Sequence, residues 1–333
     1  MRTTIGLFLL ALCFSACSGG DLDEVKITPP GTSSSSSGGS EGGQGGMGGG
    51  AGGGGAGGGV SAACMGKSAM TPGNTDYMIM TSGESRDYRV HVPPTYDAKN
   101  PVALVVALHG YTEKIDDFMD ISHFAEAVDK RGMLVVFPQG KAPLGVPGWN
   151  AGTCCGTAQT QKTPDVQFIR DMVAKIEQDY CVDPKRIFVS GFSNGGMLSH
   201  RLACEFSERV AAIGAVSGTM AIDPCVIKRN VPILHIHGTS DIVVPYNQSI
   251  TAQTVPQTID GWTARNFCAG TSSVVYSKGS VSCALYGACN ADVELCKIEG
   301  GSHEWPGGGS AMGMGDINAT EYILDFFEAH PMP

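Results

Sequence analysis

The sequence predicts an α/β fold built on a mostly parallel sheet with helices on both faces. Three observations carry that expectation. Strand-like apolar runs alternate with segments of helical periodicity from about residue 87 to residue 329, the pattern that strand–helix crossover units produce. Some of the runs, residues 102–108 first among them, are apolar throughout rather than at every second position, as expected of strands covered on both faces. About 270 residues remain once a low-complexity leader is set aside, enough for one large domain with a full core.

Taken in order, residues 89–92 read as an early strand stopped by Pro93-Pro94, since proline cannot continue a ladder. Residues 102–108 are the first buried strand, ending in His109-Gly110. Residues 117–130 carry Phe118, Ile121, Phe124, Ala125 and Val128 at helical spacing. Residues 133–137 form the next buried strand. Residues 165–180 predict a helix with Val166, Ile169, Val173 and Ile176 along one side and Asp165 capping its start. Residues 186–190 lead as a strand into Gly191-Phe192-Ser193-Asn194-Gly195, and residues 196–206 follow as a helix. Residues 210–216, 231–236 and 293–298 read as three further strands, and residues 258–268 and 319–329 as helices. No internal repeat is visible.

The leader has its own composition. Residues 1–17 read as an export signal, with Arg2 as the positive start, residues 5–14 as the apolar stretch and Ser15-Ala16 as the small residues before cleavage. The stretch is too short for a permanent bilayer span. Phe14-Ser15-Ala16-Cys17 also resembles a bacterial lipobox, with Phe14 where leucine is usual. Cys17 is then either the lipid-bearing N-terminus, the only membrane contact expected, or merely a neighbour of an ordinary cleavage site. Residues 18–59 are rich in serine and glycine and bury too little apolar surface to offset chain entropy. They predict a disordered tether with an r.m.s. span of roughly 35 Å, followed by a catalytic domain over residues 60–333.

A net charge of −10 without a basic cluster argues against nucleic acid as a partner. Beyond Cys13 and Cys17 there are ten cysteines: Cys64, Cys154, Cys155, Cys181, Cys204, Cys225, Cys268, Cys283, Cys289 and Cys296. An even number in an exported chain predicts up to five disulfides. Adjacent Cys154 and Cys155 are expected to pair outward with two different partners. Cys268, Cys283, Cys289 and Cys296 are close enough in sequence for two local bridges. No C-x-x-C pair occurs, so no metal site and no cofactor are expected.

The chemistry centres on Ser193. A G-x-S-x-G turn between a strand and a helix holds its serine in a tight, strained bend with backbone N–H groups beside it, as in the α/β-hydrolase fold. There the partners follow in the order serine, acid, histidine. Of the later histidines, His200 lies on the outgoing helix, His235 and His237 sit on one face of a strand, and His330 is at the tail. His303 follows a strand in the loop Gly300-Gly301-Ser302-His303 and is the expected base. Asp241, reached through Gly238-Thr239-Ser240, is the expected acid; Asp223 is the alternative. The oxyanion needs two preorganised donors. The backbone of Asn194 is one, and the backbone of Tyr111, or of Thr112, is the other. Trp149 offers a flat apolar surface and Asn150 a polar handle to a substrate, or both belong to a stapled loop. Trp305 lines the pocket or buttresses the histidine loop.

With these residues in view, the chain resembles the secreted esterase family that groups polyhydroxybutyrate depolymerases, feruloyl esterases and acetylxylan esterases, akin to carbohydrate esterase family 1. The likeness runs from about Asp87 to Ala329. It is carried by Leu108-His109-Gly110-Tyr111-Thr112, by Gly148-Trp149-Asn150-Ala151-Gly152 with Cys154-Cys155-Gly156, and by Asp165-Val166 with Phe168-Ile169. Val182-Asp183-Pro184-Lys185-Arg186, the run from Gly191 to Met197, His237-Gly238-Thr239 with Asp241 and Val244-Pro245-Tyr246, and Gly300-Gly301 with His303, Trp305 and Pro306 complete it. The resemblance implies Ser193 as nucleophile, Asp241 as acid and His303 as base. It implies an ester substrate, either feruloyl or acetyl groups on plant cell-wall xylan or, alternatively, a 3-hydroxyalkanoate polyester. Glu304, where the family usually has a small or neutral residue, and Ser302, in place of a common glycine, are departures. Glu304 either acts on the pKa of His303 or faces water. The absence of a polymer-binding module from the sequence argues against solid polyester granules. A catalytically dead surface binding protein, or a peptidase on the same scaffold, are the readings from other classes.

Overall fold

The computed structural model describes residues 64–249, 252–308 and 316–333. The expected export signal, Cys17 and the Ser/Gly-rich tether lie outside the described residues. In chain order the elements are β1 (Gly73–Thr81), β2 (Glu84–Val92), β3 (Val102–Leu108), α1 (Ile115–Ser122), α2 (Phe124–Arg131), β4 (Leu134–Pro138), α3 (Gly156–Thr160), α4 (Asp165–Asp179) and β5 (Val182–Phe192). They continue with α5 (Asn194–Glu205), β6 (Ile213–Val216), β7 (Ile233–Gly238), α6 (Val255–Arg265), β8 (Ser272–Lys278), β9 (Val281–Tyr286), β10 (Val293–Ile298) and α7 (Ala319–Ala329).

The strands form one sheet in the order β1-β2-β4-β3-β5-β6-β7-β10-β9-β8. From β4 to β10 all neighbours are parallel; β1 and β2 at one edge and β9 and β8 at the other are antiparallel. Side chains alternate across the sheet, as the strand repeat of two requires. Along β3, Leu104, Val106 and Leu108 join a core with Ile169 and Met172 of α4, Leu198 and Leu202 of α5, and Ile259 and Trp262 of α6. Ala103, Val105 and Ala107 join the opposite core, with Phe118 of α1, Phe124 and Val128 of α2, and Ile323 and Phe327 of α7. Both faces of the central strands are therefore buried, which is why they are apolar throughout. The α/β-hydrolase architecture expected from the sequence is present.

The departures have local causes. β1 presents Asn74, Thr75, Asp76, Met78 and Met80 to solvent, so its apolar content is too low to announce a strand; pairing with β2 makes it one. The hairpin β8–β9 is missed for the same reason, β8 being exposed at nearly every position. The single helix expected over residues 117–130 is two, because His123 adopts φ 53° and ψ 28°, a left-handed conformation that ends α1 and starts α2. Asp165 does not cap α4. Its carboxylate is buried and accepts from Arg86 Nη2 at 2.8 Å and from the Asn150 backbone N–H at 2.7 Å, tying β2 to the loop before α3.

Ten cysteines form five pairs: Cys64–Cys181, Cys154–Cys155, Cys204–Cys225, Cys268–Cys289 and Cys283–Cys296. The last two are the local bridges expected. Cys154 and Cys155 do not pair outward; the other eight sulfurs are committed to one another, and this adjacent pair closes on itself. Among the described residues no helix is long and apolar enough to cross a membrane.

The Cys64–Cys181 bridge closes 117 residues. Replacing both cysteines by alanine is expected to lower stability by about 4 kcal/mol, measured by denaturant unfolding. A non-reducing peptide map is expected to recover Cys154 and Cys155 in one uncrosslinked peptide that lacks the two thiol hydrogens.

Candidate functional site

The chain leaves β5 at Phe192 and enters α5 at Asn194, so one residue makes the turn. Ser193 occupies it with φ 53° and ψ −117°, a backbone region that costs a non-glycine residue roughly 1–3 kcal/mol. Hydrogen bonds hold it there: Ser193 N–H donates to the Val216 carbonyl at 2.8 Å, and Met197 N–H to the Ser193 carbonyl at 2.9 Å. The neighbouring glycines are dictated by contact. A Cβ on Gly191 would strike the backbone of Gly195, and one on Gly195 would strike the Leu108 and His109 carbonyls.

Three loops at the carboxyl ends of neighbouring strands converge on this turn, where parallel sheets gather their sites. His303, in the loop after β10, lies with Nε2 3.0 Å from Ser193 Oγ and Nδ1 2.7 Å from Asp241 Oδ2. A carboxylate only accepts, so Nδ1 carries the proton and Nε2 is free to accept from the hydroxyl. The His303 ring lies against Phe192, with centroids 4.9 Å apart and the planes tilted by 34°.

Asp241, in the loop after β7, has no exposed side-chain surface. Its Oδ1 accepts from the Val243 and Val244 backbone N–H groups, each at 2.8 Å. Oδ2 faces His303 and, at 3.3 Å, Nε2 of His237. Burial acts to raise its pKa. The hydrogen bonds from His237 and His303, the charge of His303 and the Val244 N–H outweigh burial and hold the carboxyl well below the usual range. Asp223 is exposed, and the carboxylate that His303 Nδ1 meets is that of Asp241. His200, His235 and His237 are buried behind the site, and none of them meets Ser193. Glu304 is exposed.

The strand β3 delivers the other candidate donor. Gly110 N–H is taken by the Glu113 carboxylate at 2.7 Å, and Thr112 N–H by the Pro147 carbonyl at 2.8 Å. Thr112 is thereby spent. Among the described residues no protein acceptor takes the N–H of Tyr111 or of Asn194. His109 braces this segment from beneath: Nδ1 donates to the Gly110 carbonyl at 2.7 Å, and Nε2 accepts from Gly140 N–H at 2.8 Å.

Trp149, Asn150 and Trp305 do not offer themselves to a substrate. Trp149 is fully buried, its indole N–H donating to the His109 carbonyl at 2.9 Å. The Asn194 side chain clamps the same residue from both sides, accepting from Trp149 N–H at 2.7 Å and donating to its carbonyl at 3.1 Å. The Asn150 amide donates to the Thr163 carbonyl at 2.9 Å and accepts from Gly152 N–H at 3.3 Å. Trp305 is buried among Phe118, Phe124 and Phe192 and donates to Thr320 Oγ1 at 3.0 Å. All three are braces, and only the buttress alternative survives for Trp305. What the sequence did not reveal is Asn194 acting through its side chain, and His237 standing behind Asp241. An asparagine after the serine and a histidine four before the acid were the available signals. A groove of about 590 Å³ opens beyond the turn after β6, lined by residues including Thr153, Met220, Ile222, Asp223, Gln253 and Gln257.

The family described as phospholipase/carboxylesterase matches residues 157–267. The chain is 31% identical over 231 residues to "Feruloyl esterase B" of Piromyces equi, covering 64% of this chain and 42% of that protein, so it spans less than half of that relative. It is 30% identical over 251 residues to "Probable feruloyl esterase C" of Aspergillus clavatus, covering 73% of this chain and 84% of that one. Among solved structures, the acetyl xylan esterase from Aspergillus awamori superposes with a TM-score of 0.56 at 15% identity, over 76% of this chain and 99% of that chain. At that identity the likeness concerns the fold.

The buried histidines set a pH dependence of stability. Burial lowers His109 to about 4 and His200 to about 3, and places His235 well below 6.5. In the unfolded chain each takes a proton near its ordinary value, about 6.5. Folded values below the unfolded one mean that stability is complete above that value and is lost as pH falls. The thermal midpoint is expected to drop between about pH 7 and about pH 5.5, with unfolding taking up close to three protons; calorimetry in buffers of different ionisation enthalpy measures the uptake.

Proposed function

We propose, for a chain that belongs to the esterase family of the feruloyl and acetylxylan esterases, that it is an exported serine carboxylic-ester hydrolase acting on feruloyl or acetyl esters of plant cell-wall xylan. The observation that carries the reading is the run Ser193 Oγ, His303 Nε2, His303 Nδ1, Asp241 Oδ2, with separations of 3.0 and 2.7 Å. Ser193 attacks the ester carbonyl as His303 Nε2 takes its proton. The N–H groups of Asn194 and Tyr111 hold the tetrahedral oxyanion, and both are held ready without a protein acceptor. His303 then protonates the departing alkoxide. A water molecule, deprotonated by the same nitrogen, attacks the acyl-serine and frees the acid. Asp241 keeps the imidazole in the Nδ1–H tautomer and stabilises the imidazolium.

The five disulfides suit an oxidising compartment, in keeping with export. Names of sequence relatives support the acyl class: "Feruloyl esterase B" in one case, "Probable feruloyl esterase C" in the other.

A fluorophosphonate probe is expected to label the folded protein and to fail on Ser193→Ala. Labelling that survives this change removes the nucleophile. Asp241→Asn is expected to lower kcat by about 10⁴ with KM little altered, the effect of the wrong imidazole tautomer. Release rates on methyl ferulate, acetylated xylan, a soluble hydroxybutyrate oligomer and a peptide panel separate the substrate classes. Cleavage of the oligomer alone, or of peptides alone, would sink the cell-wall reading.

A further inference from the structure

Behind the Asp241 carboxylate lies a row of side chains that the hydrolytic steps leave without a role. Trp262 on α6, His200 on α5, and His235 and His237 on β7 are all buried. Trp262 Nε1 is 3.0 Å from His200 Nδ1. His200 Nε2 is 3.2 Å from His235 Nδ1, and His235 Nε2 is 3.1 Å from His237 Nδ1. His237 Nε2 lies 2.8 Å from the Val244 carbonyl and 3.3 Å from Asp241 Oδ2.

The two ends of the row fix the direction of every hydrogen bond in it. An indole N–H only donates, so His200 Nδ1 accepts and its proton sits on Nε2. That proton goes to His235 Nδ1, which puts the His235 proton on Nε2, and the same step puts the His237 proton on Nε2. From the other end, a carbonyl and a carboxylate only accept. They require the proton on His237 Nε2 and, working back, the identical arrangement. Hydrogen bonds in a chain of one direction polarise one another, so the last N–H is a better donor than that of a lone imidazole.

We propose that His237 is a positioning residue for the hydrolytic site, through which the row Trp262–His200–His235–His237 delivers a fixed N–H to Oδ2 of Asp241. This rests on the reading of Ser193, Asp241 and His303 as the catalytic triad. Oδ1 is already tied to two backbone N–H groups, and Oδ2 has His303 on one side. The His237 N–H, whose nearer acceptor is the Val244 carbonyl at 2.8 Å, reaches Oδ2 at 3.3 Å and adds a fourth donor beside the carboxylate. By drawing charge from Oδ2 it also keeps Asp241 from binding the His303 proton too tightly. Other groups facing the row are the Arg265 guanidinium and the Gly218 carbonyl near His200, with Asp223 acting on Arg265. The Tyr246 ring stands edge-on to His237. On the His303 side stand Ser193, Asp241 and Glu113.

Long-range ¹H–¹⁵N spectra of protein labelled with ¹⁵N-histidine report each ring's tautomer. The rings of His200, His235 and His237 are expected as Nε2–H tautomers. An Nδ1–H tautomer at His235 or His237 overturns the proposal, whatever the protein hydrolyses. On p-nitrophenyl acetate, His237→Phe is expected to lower kcat about tenfold with KM little changed. It is expected to move the acid limb of the kcat/KM profile upward by about half a pH unit, because Asp241 then holds the His303 proton more firmly. His237→Gln, which restores a side-chain N–H, is expected to recover most of both. Trp262→Phe, which removes only the indole donor, is expected to move the limb the same way by less. Wild-type kcat with an unmoved limb in a folded His237→Phe protein overturns the proposal. If that variant does not fold, an unmoved limb in Trp262→Phe overturns it instead. A wild-type protein that cleaves no ester and takes no fluorophosphonate disproves the triad, and the positioning role falls with it, whereas a failed tautomer assignment leaves the triad standing.

Discussion

The site depends on one close approach. Where β5 meets α5, the backbone of Gly191 lies against that of Gly195, and Gly195 lies against the end of β3. No side chain fits between them. That contact forces the chain to reverse within one residue, and Ser193 takes the strained dihedrals that result. The strain of roughly 1–3 kcal/mol is offset by the surrounding sheet, whose central strands are buried on both faces. A looser junction would relax the serine and lose the alignment of its hydroxyl with His303.

The loops around the turn are held by polar braces, each satisfied within the protein. Asp165 joins Arg86 to the Asn150 backbone. The Asn194 amide grips Trp149 through both backbone groups, and the Trp149 indole grips the His109 carbonyl. The segment carrying Tyr111 is thereby referenced to the same helix start as Ser193. On the other side, Trp305 packs behind Phe192, which carries the His303 ring. The unusual string from Gly148 to Gly156 supplies this bracing.

Much of the central sheet was legible because its strands are apolar throughout and end in glycine-rich turns. β3 and β10 match the expected bounds residue for residue. Ser193, Asp241 and His303, the residues proposed to act together, stand out in the sequence because each follows such a strand, and their side chains lie within hydrogen-bonding distance of one another. The edge strands β1 and β8 were not legible, since an edge exposes polar residues and only pairing defines it. The break at His123 was hidden because apolar spacing continues across it. The roles of Trp149 and Asn150 were not legible either, because a flat ring and a polar amide suit a pocket wall and a buried brace equally well. The pairing of Cys154 with Cys155 is not legible because adjacency in sequence suggests two outward partners, whereas the other eight cysteines among the described residues pair with one another.

The hydroxyl and the imidazole that meet at 3.0 Å are 110 positions apart along the chain, and the carboxylate between them arrives on a third segment. No fragment of the polypeptide brings all three together. A segment that stops short of β10 holds the hydroxyl without its imidazole neighbour, and the three side chains share one place only where β10 lies beside β7.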